Sequence, residues 1–270
     1  MALMRMISVA VFLAASVAAQ WLNLPSPGIP RTSDGKPNLT APAPKTAGGK
    51  PDFSGMWVPR DVRPCNLGQV GVQCAELPLT PQLITFALDL KDGLPYQPWA
   101  ADLVKSRAKD APYTDPHTHC MPPNYPRAWA FPETQKIFQM PTQLVILHEF
   151  NASYRQIFFD GRKLPEDMLP TWNGYSVAHW EGDTLVVESA GYRDDSWLDN
   201  GGNFFSSEAR VTERIRRPNF GSLDIDVTVN DPKVFTKAWT VALHMKPLLD
   251  TEMIDFICQE NNKDIGHLVR

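Results

Sequence analysis

The chain has 270 residues, a formal net charge of −4 and a sequence pI of about 5.9. No run of Lys or Arg accumulates along it, which argues against a nucleic-acid-binding protein. The chain contains 4 cysteines, an even number that favours disulfide bonds in an oxidising compartment.

Residues 1–19 have the pattern of a secretory signal peptide. Arg5 supplies the positive charge, residues 7–15 are apolar, and Val17-Ala18-Ala19 fits a small-residue cleavage site. The apolar run is shorter than the roughly 20 residues that span a bilayer, and no later stretch is apolar enough. The sequence therefore predicts a periplasmic or secreted protein with no membrane span after the signal is removed.

Residues 20–50 are rich in Pro, Gly, Ser, Thr and Lys and predict a flexible linker, which a single domain over residues 51–270 follows. Apolar residues recur on one helical face over Leu79–Leu90 and over Pro98–Asp110, and these two segments predict short helices. Residues 111–132 contain 6 prolines, which predict an irregular segment.

From residue 135 onward the pattern is that of β-strands. The organising element is a hairpin of Tyr175–Trp180 and Thr184–Tyr192, in which Gly182-Asp183 suits a two-residue type II′ loop. Further strands are predicted at residues 56–58, 136–142, 143–150, 154–160, 207–217, 222–229, 236–245 and 253–260. About nine or ten strands at this short spacing predict an all-β, mainly antiparallel barrel of about 8 to 10 strands, with long loops and the two helices near its N-terminus.

Gly55-Met56-Trp57, at the entry to the first strand, resembles the Gly-x-Trp opening of lipocalin-like, calycin-type barrels. The resemblance implies a barrel that binds a small, mostly apolar molecule. Such barrels also carry an arginine late in the barrel that packs on this tryptophan, and the sequence does not indicate which arginine that is.

A second resemblance covers most of residues 50–262 and is to a group of exported bacterial proteins of unassigned function. It implies no catalytic residues. The segments that carry it are Asp160-Gly161-Arg162, Trp180 to Val187, Thr212-Glu213-Arg214, Asp231-Pro232 and Cys258.

Glu213 shares its parity with Val211 and Ile215, so its carboxylate is predicted on the buried face of a strand. A buried carboxylate must be paired or protonated. One interpretation is an ion pair with Arg155 or Arg162 on a neighbouring strand.

The other interpretation is a catalytic acid–base group with a raised pKa. His148 and His179 lie in predicted strands, as does His244, and would complete such a site if they converged on Glu213. A strand histidine can equally be an ordinary core or surface residue, and spacing does not decide between these roles.

Several residues could contact a ligand. Arg162, at the end of a strand, could bind an anionic or carbonyl group or could belong to a turn with Asp160. Aromatic residues could line an apolar cavity or simply fill the core. The candidate ligand-binding residues are Arg155, Arg162, Asp160, Trp180, Trp239, Phe158 and Tyr175.

The proline-rich segment contains a candidate metal site. On an extended backbone His117 and His119 would point the same way, and with Asp115 they could hold Zn²⁺ or Cu²⁺. A solvated loop is the alternative, and the sequence identifies no cofactor. The cysteines suggest disulfide bonds between Cys65 and Cys74 and between Cys120 and Cys258.

Three functions remain open. The first is a small-molecule-binding protein with an apolar, aromatic-lined barrel cavity. The second is a barrel enzyme that uses Glu213 and histidine on a small hydrophobic or glycosidic substrate. The third is a protein-interaction module. The sequence has no nucleophile elbow, phosphate loop or His-Glu-x-x-His motif, which argues against the commonest hydrolases and nucleotide-binding proteins. It does not indicate the oligomeric state.

Overall fold

The computed structural model describes residues 24–60, 85–88 and 90–260, without the side chain of Pro112. The predicted signal peptide, Cys65 and Cys74 lie outside these residues, as does most of the helix predicted at 79–90. Residues 85–88 form a turn closed by the Leu88 N–H, which donates to the Thr85 carbonyl. The described part of that predicted helix is therefore not helical.

Nine strands form a closed barrel in chain order. The first strand pairs with both the second and the ninth, so the barrel has no free edge at its closure. This arrangement confirms the predicted all-β barrel. The strands are β1 Gly55–Pro59, β2 Gln135–Gln139, β3 Gln143–His148, β4 Ser153–Phe158, β5 Tyr175–Glu181, β6 Thr184–Ala190, β7 Arg210–Asn219, β8 Ser222–Asn230 and β9 Trp239–Pro247.

All neighbouring strands are antiparallel except β4 and β5, which pair in parallel at Ile157–Ser176 and Phe158–Val177. A ring of neighbours that alternate in direction closes only with an even number of strands. Nine strands therefore require a parallel pair, and the long connection over residues 159–174 allows the chain to return in the same direction.

The β5–β6 hairpin has the predicted two-residue loop, because Glu181 pairs directly with Thr184. Gly182 has a φ of +60°, and Asp183 is not among the residues with positive φ. That combination is the one a type II′ turn requires, so the loop prediction is confirmed.

Alternate side chains of β7, β8 and β9 point into the barrel, as the sequence pattern predicts. Ile225 and Val227 of β8 are fully buried, whereas Asp224 and Asp226, which alternate with them, are only partly buried. One end of the barrel is filled by Trp239, which packs against Phe86. The opposite end is filled by the fully buried Trp57.

In the described part of the chain, one α-helix, α1, runs over Pro98–Thr114, four residues beyond the predicted end, with a kink at Asp110. Two 3-10 turns follow, at Pro116–His119 and Arg127–Ala130, and all four residues of the second are buried. Among the described residues, no helix is both long enough and apolar enough to cross a membrane.

The strand predicted at 253–260 is not formed. A single bridge joins Phe150 to Phe256 there. Because β1 and β9 already close the barrel, no edge remains for a tenth strand. The predicted disulfide between Cys120 and Cys258 is confirmed and fastens this segment beside the proline-rich region.

Residues 24–54, named here the N-terminal strap, lie along the Trp57 end of the barrel, where the sequence predicts a flexible linker up to residue 50. The Leu39 carbonyl accepts from Gly221 N–H at 2.8 Å, and the Lys50 ammonium donates to the Gly182 carbonyl at 2.7 Å. Ser26 exchanges hydrogen bonds with Asp250. These contacts fix the strap to two hairpin turns of the barrel and to the segment after β9.

Candidate functional site

Glu213 lies inside the barrel and is fully buried, as its parity predicts. Both of its carboxylate oxygens are bound by the Arg155 guanidinium, with Nη1 at 3.1 Å from Oε1. The Trp129 indole donates to Oε1 at 2.5 Å. The ion-pair interpretation is confirmed, with Arg155 rather than Arg162 as the partner.

The other donors of Arg155 are also used. Its Nε donates to the Ser176 hydroxyl at 3.2 Å, and Nη2 donates to the Ser189 hydroxyl at 3.0 Å. The guanidinium carbon lies 4.4 Å from the centre of the Tyr125 ring. A charged pair with this many partners is stable without a ligand, since its hydrogen-bonding capacity is met by the protein.

The histidines do not gather around Glu213. His148 is buried, and its Nδ1 accepts from the Phe150 N–H at 3.1 Å. Burial lowers the pKa of His148 to about 4, so the ring is neutral near pH 7. His179 is exposed beside Glu181, and His244 contacts Asp224. Among the described contacts, none joins a histidine to Glu213, so the predicted acid–base site has no assembled partner for the carboxylate.

Four of the candidate ligand-binding residues meet on the outer surface. Arg162 binds both oxygens of Asp160 through Nε and donates through Nη1 to the Tyr175 hydroxyl at 2.9 Å. Its guanidinium carbon lies 3.9 Å from the centre of the Phe158 ring. This cluster is exposed, and its charges are already paired.

The remaining candidates lie elsewhere. Trp180 stacks on Phe53 of the strap at 5.5 Å, whereas Trp239 is buried at the opposite end of the barrel. Together with the buried Arg155, the predicted ligand-binding residues thus occupy four separate places.

The backbone at 117–119 is a 3-10 turn rather than the extended chain expected for a metal site. His117 packs between Phe131 and Phe150, and His119 Nε2 lies 2.7 Å from the Tyr113 carbonyl oxygen. Asp115 is bound by the buried Arg127. In the described part of the chain, no three His, Cys, Asp or Glu side chains are grouped to hold a metal ion.

A cleft of about 510 Å³ lies between the N-terminal strap and the Trp57 end of the barrel. Most of its walls are apolar, and one rim carries the Lys136–Glu252 ion pair, with 2.5 Å between nitrogen and oxygen. We call it the strap cleft. Its apolar lining residues are Leu24, Pro25, Pro27, Ile29, Pro44, Met56, Trp57, Phe220, Pro247, Leu248 and Leu249.

Arg217 lines the strap cleft and is 7% exposed. Its Nη1 donates to the Asp52 carbonyl at 2.5 Å, and its Nη2 donates to the Phe220 carbonyl at 3.0 Å. The guanidinium carbon lies 4.8 Å from the centre of the Trp57 ring. Burial lowers the pKa of Arg217 to about 10, so the side chain stays charged at neutral pH.

The sequence prediction overlooked Arg217, although a signal was present. The residue continues the inward parity of Val211, Glu213 and Ile215 along β7, which predicts a second buried charge in that strand. No sequence signal indicates that the strap lines a cleft, because irregular segments show no periodicity.

The chain was compared with protein-family models, with curated proteins and with solved structures, and none of the three comparisons gave a match.

Proposed function

We propose that this protein is an exported, lipocalin-like barrel that binds a small, mostly apolar molecule in the strap cleft. The volume of about 510 Å³ falls within the roughly 300–1,000 Å³ that is usual for small-molecule sites. The observation that carries the proposal is the pairing of these apolar walls with one buried polar group, Arg217. Such sites use a few polar groups to orient a ligand that is held mainly by apolar contact.

The lipocalin-like part of the proposal is supported by Trp57 and Arg217. The Gly55-Met56-Trp57 opening resembles that of lipocalin-like barrels, and an arginine from a late strand packs on this tryptophan. Export is supported by the signal-peptide pattern and by the disulfide between Cys120 and Cys258, which persists most readily in an oxidising compartment.

The cleft is a better candidate than the barrel lumen, where the sequence places the cavity. The lumen contains the Arg155–Glu213 pair and Trp129, which belongs to the 3-10 turn at residues 127–130. A ligand there would have to displace a fully buried charged pair, which is costly. The strap cleft requires no such displacement.

Methyl-resolved NMR with N-phenyl-1-naphthylamine, a neutral apolar probe, tests the location. We expect shifts at the cleft methyls of Leu24, Ile29 and Leu248 and unchanged signals from the lumen methyls of Ile146 and Val227. Shifts confined to the lumen methyls would show that the probe binds inside the barrel and not in the strap cleft. Unchanged spectra with this probe and with neutral alkanols would overturn the binding function.

A matched pair of variants provides a second test. Leu248→Trp places an indole in the cleft and should weaken probe binding about tenfold or more. Leu169→Trp adds the same ring at a side chain that is 86% exposed and lies outside the cleft, so it should leave binding unchanged. Equal binding by the two variants would contradict the assignment of the cleft.

A further inference from the structure

Arg217 carries a positive charge that no carboxylate contacts directly in the described part of the chain. Among the described residues it forms no ion pair, and its guanidinium is held by backbone carbonyls and by the rings of Trp57 and Phe220. The charge of Asp52 raises the pKa of Arg217 and so offsets part of the effect of burial, but the Asp52 carboxylate forms no ion pair with the guanidinium and accepts from the Ser54 N–H. Buried charges in proteins are normally paired, because an uncompensated charge costs several kcal/mol.

One donor of Arg217 is also unused. Among the described residues, none provides a hydrogen-bond acceptor for its buried Nε. Buried donors without an acceptor are rare in folded proteins, and an ordered water or a bound ion often satisfies them. This donor belongs to a residue that lines the strap cleft, so a shift of the guanidinium toward the cleft would present it to an oxygen atom of a ligand.

The other charges of the cleft do not supply the missing partner. Lys136 and Glu252 neutralise each other at the rim. The charged side chains that line the cleft are these two and Arg217, so the cleft has a net charge of about +1. Apolar walls with one net positive charge favour a ligand that has an apolar body and one negative group.

We infer that the ligand of the strap cleft is an anionic amphiphile, an apolar body with one oxyanion that accepts a hydrogen bond from Arg217 Nε. This inference rests on the proposed function, since it assumes that the strap cleft is occupied. The apolar body lies against Leu248, Leu249 and the prolines of the strap, and the oxyanion supplies the counter-charge of Arg217. Carboxylates and phosphates share this chemistry, because a guanidinium binds both.

Titration of the full-length protein with C12 probes that differ in the head group tests the inference. Dodecanoate and dodecyl phosphate should each bind at least about tenfold tighter than dodecanol, as a charge-assisted hydrogen bond predicts. Dodecylamine should bind more weakly than dodecanol, because its ammonium would meet the like charge of Arg217. Tighter binding of one of the two anions would show whether the natural head group is a carboxylate or a phosphate.

The outcomes separate the inference from the function on which it rests. If dodecanol binds as tightly as dodecanoate and shifts the cleft methyls, the binding function stands and the anion inference fails. If none of the four probes binds, the proposed function itself fails. Both results come from the unaltered protein, so neither depends on whether a variant folds.

A conservative variant examines the donor directly. Arg217→Lys keeps the charge but removes Nε, and it should lower dodecanoate affinity about tenfold while dodecanol affinity stays the same. Arg193→Lys is the matched control, because Arg193 also lies over a tryptophan ring and pairs with Asp195, but away from the cleft. In the unaltered protein, the Arg217 Nε–H signal should shift with dodecanoate and not with dodecanol. An unmoved signal at saturation would overturn the assignment of Nε.

Discussion

Arg155 on β4 and Glu213 on β7 form a bidentate ion pair inside the barrel, although β5 and β6 separate their strands. Trp129, from the proline-rich segment, donates to the same carboxylate. One buried carboxylate therefore joins two non-adjacent strands to the segment that fills the barrel. The pair acts as an internal cross-link, and its loss should affect the stability of the whole barrel.

The first prediction concerns Glu213→Gln, which leaves the Arg155 charge buried without a partner. We expect the free energy of unfolding, measured by urea denaturation, to fall by about 3–5 kcal/mol. Glu181→Gln removes a carboxylate from an exposed pair with Arg214 and should change the unfolding free energy far less. Equal stability of the Glu213→Gln variant and the unaltered protein would contradict the cross-link.

The pattern of the sequence was sufficient to predict the barrel, because strands such as β7 and β8 alternate inward and outward residues and several turns carry Gly, Asn or Asp. It was also sufficient to place Glu213 on the buried face and to limit its partner to two arginines. Choosing Arg155 required knowing that β4 and β7 face each other, and that relationship depends on strand order around the ring. Sequence spacing does not contain it.

The strap and the proline-rich segment could not be predicted for a different reason. Their backbone is fixed by contacts with distant turns, such as the bond from Gly221 to the Leu39 carbonyl. Neither partner is marked by periodicity or by a local motif. The spacing of His117 and His119 suggests an extended chain, but Asp115 starts a 3-10 turn by accepting from the His117 N–H.

The second prediction concerns the strap. A Cβ at Gly221 would lie 2.6 Å from Leu39 Cβ and 2.8 Å from the Leu39 carbonyl oxygen, so Gly221→Ala must displace the strap. We expect faster proteolysis within residues 36–42 and a loss of about 1–3 kcal/mol in unfolding free energy. Gly48→Ala is the control, because the nearest atom to its added Cβ is 3.8 Å away. Equal protease resistance of the two variants would show that the strap does not need this contact.

The third prediction concerns the disulfide between Cys120 and Cys258, which closes a loop over a sequence separation of 138 residues. The double variant Cys120→Ser, Cys258→Ser should lose on the order of 3–5 kcal/mol in unfolding free energy, since closure of a long loop restricts the unfolded chain. Amide exchange should rise first at residues 252–258, because the disulfide fastens this segment to the domain. The hydrogen bond from Cys258 N–H to Asn151 Oδ1 should then open more often. Unchanged exchange there would show that hydrogen bonds alone hold the segment.

The fourth prediction concerns acid stability. Burial lowers the pKa of His148 to about 4 and that of His117 to about 3, against an ordinary value near 6.5. Between about pH 4 and pH 6.5, these two histidines therefore bind more protons in the unfolded chain than in the folded one. These two residues contribute full stability above pH 6.5 and lose it as the pH falls. Asp199 acts in the opposite direction, because burial raises its pKa to about 6.

Asp199 is present both in the unaltered protein and in a His148 variant, so its contribution to the pH dependence cancels when the two are compared. Between pH 7 and pH 5 the unfolding free energy of the unaltered protein should fall by about 2 kcal/mol more than that of His148→Gln. Glutamine cannot be protonated in this range, and its side-chain oxygen can replace Nδ1 as the acceptor for the Phe150 N–H. Parallel pH profiles for the unaltered protein and His148→Gln would show that His148 is protonated equally easily in the folded and unfolded chains.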